Sequence, residues 1–460
     1  MTSRFAGGTP WFMAWAAFLP LVLIRAENLA ESDTFWAIRT GILIIDSARI
    51  PAYDTFSWTV AGQPWTLNSW GFNTILAAAY LAMGLAGSAI VASMFIAAIG
   101  ALILFQARKW GANPVVSGFV LVIGGALTTT WITARPQIVD YAAMLVMLIL
   151  LDRLRTSDRP WWSIVGLGVL TVLWANLHAA ALLGALTCAA ATVGVLLRDR
   201  RTLQAVRFAA ATVIVGICCL VTPYGTGIIA QTLQVKNQSS NIREWQPFDA
   251  GDPLQLLVLA IGLIGVMAAF RRRDLLTLSV LAIILLASLA AYRILPILLI
   301  LSLPVIASAA PKKLLCYFES RRKMLSQGAA AAIAIASVIS IVNIGNLGRP
   351  DPSHFPQQAL AHIPPNCNTY NDYQLGGLVI LQRPDVKVSI DSRNDLYGAE
   401  RVDKSLSTVA GNGDVEGELR GAGCALVPPG SGLADALRAS PYWTETFSEP
   451  AAAVFVRTHE

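Results

Sequence analysis

The chain has 460 residues, 55% of them hydrophobic and only 13% charged, with a mean hydropathy of +0.57. Soluble domains carry about one quarter charged residues, so this composition excludes a water-soluble enzyme and specifies a polytopic membrane protein. The net charge of +6 sits mostly in loops beside apolar runs and gives no ground for a nucleic-acid partner.

The apolar runs are of helix length and rich in Ala, Leu, Ile and Val, so they read as membrane helices and not as barrel strands. Spans are expected near 11–25, 88–105, 114–131, 137–152, 161–176, 179–197, 208–222, 254–270, 275–292, 294–310 and 326–345. The first follows Arg4 and lacks a small-residue cleavage site, so it is expected to stay as a helix. About eleven spans place the two termini on opposite sides.

Beyond the first span comes a long outer loop, 26–87. It opens on Glu27, Glu31 and Asp33, followed by Phe35, Trp36 and Arg39. An amphipathic stretch from Trp36 to Ile45, a turn at Pro51 and an apolar segment at 70–86 follow. Counting 70–86 as a crossing would reverse every later loop. With Trp58, Trp65, Trp70 and Phe72 around it, it reads instead as a helix lying at the outer interface.

Arginine and lysine then set the orientation. One set of loops carries Arg4, Arg108, Lys109, Arg153, Arg155, Arg159, Arg198, Arg200, Arg201, Arg207, Arg271, Arg272, Arg273, Lys312, Lys313, Arg321, Arg322 and Lys323. The opposite set carries Arg25, Arg39, Arg49, Arg135, Lys236, Arg243 and Arg293. The richer set is cytoplasmic by the positive-inside rule. The expectation is a multi-pass protein of the cell inner (plasma) membrane, with its N-terminus cytoplasmic and residues 346–460 outside. That last segment, with its prolines, a strand at 386–390, a helix near 431–439 and a strand at 453–457, reads as a small α/β domain beside a membrane domain of 1–345.

Polar groups collect at the outer helix ends, so any site opens outward. Pro136 in Thr133-Ala-Arg135-Pro136-Gln137 ends one span, and Asp140 falls one turn into the next. A carboxylate at that depth needs a partner. Either it pairs with Arg135 or favours the helix dipole, or it is a second acid that works with Asp33 on a divalent cation or a phosphate. His178 closes another outer hairpin, as a hydrogen-bonded structural residue or as a donor to phosphate. Arg293 lies between two apolar runs, either snorkelling to the interface or holding an anion. Arg243-Glu244-Trp245 is the most site-like part of the 223–253 loop. The Asn237-Gln-Ser239 sequon is weak evidence of anything.

In the last domain, Asp391, Arg393 and Asp395 follow a strand and read first as a salt-bridged turn, second as a sugar or metal site. Cys367 and Cys424 are the two cysteines of that domain, and a disulfide between them is permitted outside the cytosol. Cys188, Cys218 and Cys219 read as apolar fillers within helices.

On these residues the chain resembles the polyprenyl-phosphate-sugar-dependent membrane glycosyltransferases of the GT-C class. These include the protein O-mannosyltransferases, the catalytic subunit of oligosaccharyltransferase and the aminoarabinose transferase acting on lipid A. Glu31-Ser-Asp33 with Phe35 and Arg39 looks like the acidic motif of their first outer loop, with Asp33 at the key carboxylate. Arg135 to Asp140 looks like their second-loop acid, reduced here from a pair to one. The run Val386 to Tyr397 and the outer domain look like those of uncharacterised bacterial members.

The resemblance implies a GT-C-like polytopic α-helical fold and an inverting transfer of a sugar from a polyprenyl-phosphate donor to an outer acceptor (glycan, lipid or protein). It implies Asp33, Glu31 and Asp140 as catalytic residues, and Arg39, Arg135, His178, Glu244 and Arg293 as substrate-binding ones. It also implies a possible divalent cation, Mg or Mn, on Asp33 and Asp140. The competing expectations are a transporter or flippase of a lipid-linked saccharide, which should show inverted repeats that are not seen here, and a non-catalytic membrane scaffold.

Overall fold

The computed structural model describes residues 8–26, 31–198, 203–237, 243–342 and 344–458. Arg4, Glu27, Arg200, Arg201, Gln238 and Ser239, which enter the charge pattern, the acidic cluster and the sequon, lie outside the described residues. The chain divides into two compact units: Met1–Glu27 with Ala89–Ile228 and Glu244–Leu347, and Asn28–Ser88 with Ile229–Arg243 and Gly348–Glu460.

The first unit is helical throughout. Each expected span contains helix, and six of the described helices are long and apolar enough to cross a membrane: Thr9–Ala26, Leu85–Lys109, Pro114–Trp131, Pro160–Leu177, Ala181–Arg198 and Pro253–Arg271. Starts are set by sequence. Asn113 and Asp252 accept the first free backbone N–H groups of the helices at Pro114 and Pro253, where proline has no N–H to lose. The first span is broken into Thr9–Ala16 and Leu19–Ala26. Pro20 lacks the N–H that a continuous helix would direct at the Ala16 carbonyl, and its ring clashes there.

The centre of this unit is the Leu295–Ser308 helix, buried at every position from Leu295 to Val305. A helix apolar on all sides belongs inside a bundle. It packs against the helices Pro114–Thr128, Gln137–Thr156, Pro253–Arg271 and Leu275–Ala290. The approach to Pro253–Arg271 needs small residues: a Cβ at Gly262 would lie 2.4 Å from Leu298 Cδ2. The outward faces carry exposed Phe119, Ile123, Leu173 and Ile264, as a lipid-facing surface requires.

The second unit joins the long first loop to the C-terminal segment. A five-stranded sheet has the order β2-β1-β3-β5-β4, with β1 at Asn368–Asn371, β2 at Lys387–Val388, β3 at Cys424–Val427, β4 at Trp443–Glu449 and β5 at Ala452–Arg457. β1 pairs parallel with β2 and β3, and β5 pairs antiparallel with β3 and β4. Tyr370, Val427, Leu433, Leu437 and Phe455 fill its core. Loop residues add to the free edge of β2: Trp58 N–H donates to the Val388 carbonyl (3.0 Å) and Val388 N–H to that of Phe56 (3.1 Å). The segment at 70–86 is a helix, Trp70–Met83, packed on Ser32–Ser47, with the Gly41 backbone close against the Asn73 carbonyl.

Cys367 and Cys424 form a disulfide beside the β1–β3 pairing. Replacing both by serine should lower the stability of the second unit by about 2–4 kcal/mol. A thermal melt of the full chain in detergent, with and without reductant, should show a lower transition for the variant and no further effect of reductant on it.

Candidate active site

In the first unit the break at Pro136 starts the Gln137–Thr156 helix, and Asp140 stands in its first turn, 4% exposed. Trp174 Nε1 donates to Asp140 Oδ1 at 2.7 Å. His178 Nδ1 lies 2.8 Å from both Asp140 oxygens. Trp174 and His178 are four residues apart at the end of the Pro160–Leu177 helix, so one turn presents both groups to one carboxylate. An ionised carboxylate accepts only, which assigns the imidazole proton to Nδ1 and leaves Nε2 as the second ring nitrogen.

Arg135 takes a different acid from the one its neighbourhood in sequence suggests. Its Nη1 is 2.7 Å from Glu244 Oε1, and Gln137 Nε2 donates to Glu244 Oε2 at 3.4 Å. The Asp140–Arg135 pair is therefore replaced by Asp140–His178 and Arg135–Glu244. Burial pushes the Glu244 carboxyl up, but Arg135 and Arg293 outweigh it and hold Glu244 below the usual carboxylate range. Arg293 stacks its guanidinium 4.4 Å from the centre of the Trp245 ring. Asp140, Glu244, Arg293 and Arg135 all act electrostatically on the buried Tyr141 hydroxyl. Four of the five polar residues expected in this unit thus act on one tyrosine that sequence reasoning passed over, and the fifth, His178, is bound to Asp140. Trp174 and Gln137 were also missed, since nothing in an apolar run marks an indole or an amide as a carboxylate donor.

Asp33, Glu31 and Arg39 lie in the second unit, on the Ser32–Ser47 helix. Glu31 is its N-cap, where Thr34 Oγ1 accepts from the Glu31 N–H at 3.3 Å. Asp33, in the first turn, is half-buried and accepts from Trp36 Nε1 at 3.2 Å. Arg39 follows further along the same helix, half-buried.

The C-terminal segment fixes this helix. The same Trp36 Nε1 is 3.1 Å from Ser392 Oγ, and Ser392 Oγ donates to Ser32 Oγ at 3.2 Å. Gly377 abuts the Ser32 carbonyl so closely that a Cβ would lie 2.1 Å from it. Phe35 meets Phe355 edge to face at 5.2 Å between centroids.

Behind this contact sits Arg393, 1% exposed. It binds Asp391 through Nε (2.8 Å) and Nη2 (2.6 Å), and Asp54 Oδ1 through Nη2 (2.8 Å), between the rings of Phe56 and Trp65. Tyr397 Oη donates to Asp391 Oδ2 at 2.8 Å. Trp65 Nε1 and Gln231 Nε2 reach Asp395 Oδ2 at 3.3 and 3.4 Å. Burial raises the Asp395 carboxyl against the pull of Arg393. The run from Asp391 to Tyr397 is a salt-bridged turn, as its first reading has it.

Among the described residues no group of three or more His, Cys, Asp or Glu could hold a metal ion. The oxygens of Asp140 are engaged by the Trp174 indole N–H and the His178 imidazole.

No protein-family profile matches the chain, and no curated protein does. Solved structures do match in fold. The apo oligosaccharyltransferase of Archaeoglobus fulgidus is 12% identical with a TM-score of 0.60, over 93% of this chain and 70% of that one. ArnT from Cupriavidus metallidurans, also apo, is 14% identical with a TM-score of 0.59, over 97% of this chain and 98% of that one. The Archaeoglobus enzyme AglB with an inhibitory peptide and a dolichol-phosphate is 12% identical with a TM-score of 0.57, over 91% of this chain and 69% of that one. A further structure of the Archaeoglobus enzyme holds zinc and sulfate. The chain thus has the GT-C fold of polytopic membrane helices with a C-terminal α/β segment.

Removing the buried cation should unfold the second unit locally. Arg393→Met leaves Asp54 and Asp391 uncompensated, at a cost of about 3–5 kcal/mol. Limited proteolysis should cut the 348–458 segment in the variant under conditions where the wild type resists.

Proposed function

We propose that the protein is a membrane glycosyltransferase that moves a sugar from a polyprenyl-phosphate donor to an extracytoplasmic acceptor. One observation carries the proposal: Arg135, Asp140, Glu244 and Arg293, drawn from three separate hairpins, converge around Tyr141, and His178 from a fourth binds Asp140. A merely structural bundle has no need to gather two arginines and a carboxylate-bound imidazole at one end. The fold shared with two lipid-associated transferases agrees with this reading.

The chemistry follows from charge. An acceptor hydroxyl attacks the anomeric carbon, the new C–O bond forms as the C–O bond to phosphate breaks, and the configuration inverts. Asp33 takes the hydroxyl proton as general base. The leaving polyprenyl phosphate gains negative charge, which Arg293 and Arg135 neutralise; charge-assisted contacts of this kind are the strong ones. Asp140 fixes the orientation of the His178 ring through Nδ1, which leaves Nε2 as the ring atom for a phosphate contact. Glu244 and Trp245 hold the two arginines in place.

We place the protein in the plasma membrane with residues 348–458 outside. The Cys367–Cys424 disulfide suits an oxidising compartment, and the exposed free thiol of Cys316 falls on the arginine-rich side.

The decisive assay incubates membranes with radiolabelled polyprenyl-phosphate sugar and follows label into acceptor. Asp33→Asn should lower transfer by about 10²-fold or more while the protein still inserts; near-normal transfer would remove Asp33 from the mechanism. Arg293→Ala should weaken donor use by about 10- to 100-fold, the worth of one contact to a charged group. Donor saturation curves that match wild type would place Arg293 outside the site.

A further inference from the structure

The first unit carries a cavity of about 680 Å³ that has no part in the proposed transfer. Arg155, Arg198, Gln204, Arg272, Arg273 and Asp274 line it. Arg155 stands fifteen residues after Asp140 on one helix, so the cavity lies about 22 Å along that helix from the proposed site. These are the helix ends that the charge pattern assigns to the cytoplasmic side.

The cavity's acids are fully engaged. Arg155 binds Asp152 (2.5 Å) and Asp274 (2.6 Å), Lys109 adds to Asp152 (2.9 Å), and Asp274 also caps the Leu275–Ala290 helix through Thr277. Arg272 has no ion pair among the described residues: it stacks over Trp110 at 5.2 Å and donates to Ser308 Oγ. Burial, with the charge of Arg155 adding to it against the pull of Asp274, lowers the Arg272 pKa. Arg198 and Arg273 are exposed and have no ion pair among the described residues. Arg273 occupies a left-handed backbone conformation (φ 54°) just past the Pro253–Arg271 helix, a place helices usually give to glycine. Arg198, Arg272 and Arg273, none of them in an ion pair among the described residues, therefore line one cavity whose single lining carboxylate, Asp274, is already bound by Arg155.

The rim is apolar. Leu197, Leu203 and Val206, sequence neighbours of Arg198 and Gln204, are each more than 60% exposed. A phosphate alone needs no such surface, whereas a lipid carries a phosphodiester and acyl chains together.

We infer that this cavity binds the phosphodiester headgroup of an anionic phospholipid, held by Arg198, Arg272 and Arg273, with the acyl chains along Leu197, Leu203 and Val206. The site is independent of the transferase reading and stands or falls without it.

The test uses the purified full chain in neutral detergent. Phosphatidylglycerol, phosphatidylcholine and inorganic phosphate are each titrated against thermal stability, and lipid retention is followed by native mass spectrometry. Wild type should gain several degrees from phosphatidylglycerol alone, by preferential binding to the folded state. R198Q/R273Q alters exposed side chains without ion pairs, so it should fold normally and bind phosphatidylglycerol at least 10-fold more weakly. An equal gain from inorganic phosphate would make this a free-anion site, and an equal gain from phosphatidylcholine would make the effect one of bulk lipid. Unchanged phosphatidylglycerol binding by R198Q/R273Q would place the lipid elsewhere. Each of these three results overturns the inference.

Discussion

A guanidinium with no exposed surface must have its charge met inside the protein or not be there at all. Arg393 meets that demand with two carboxylates from distant parts of the chain, Asp54 of the first loop and Asp391 of the C-terminal segment. Neither partner is optional, so the loop and the segment are held as one body. The rings of Phe56 and Trp65 close over the cation and exclude water, which strengthens both pairs. Everything near Asp33 is arranged from this point: Ser392 reaches Ser32 and Trp36, Asp395 takes the Trp65 indole, and Gly377 allows the Ser32 carbonyl to approach. The acidic helix is thus held by a domain some 350 residues away in sequence.

The helical unit obeys a related rule in an apolar setting. A carboxylate one turn inside an apolar helix is tolerable only when hydrogen-bonded, and Trp174 and His178 supply those bonds to Asp140. Arg135 and Glu244 solve the same problem for each other, and Trp245 accommodates Arg293 through its ring face. At the opposite helix ends the balance differs. There Asp152 and Asp274 are engaged by Arg155, while Arg198 and Arg273 have no ion pair among the described residues. One bundle therefore presents a balanced, preorganised polar cluster at one end and an excess of cations at the other.

Much of this was legible beforehand. The apolar runs, the helix break at Pro136, the strand at 386–390 and the permitted disulfide all rest on local physics: hydropathy, a missing N–H and side-chain alternation. The acidic motif, the Arg135–Asp140 turn, His178 and Arg293 stood out because charge in an apolar neighbourhood is costly and so conspicuous. What stayed hidden was pairing. Arg135 has Asp140 five residues away yet binds Glu244 more than a hundred residues on, because helix packing and not chain proximity decides which side chains meet. Tyr141 and Trp174 were invisible for another reason, since aromatic residues in membrane helices are common and only their neighbours make them polar partners.

By itself the sequence determined that this is a bundle of membrane helices with a small C-terminal α/β segment, and which few polar residues had to be accounted for. Periodicity and transfer free energy act within short stretches and leave their mark there. Only the tertiary structure decided that Asp140 belongs to His178, that Arg393 joins Asp54 to Asp391, and that Ser392 supports the helix of Asp33. Those pairings depend on contacts between segments far apart in the chain, and burial enforces them without specifying in advance which partners satisfy it.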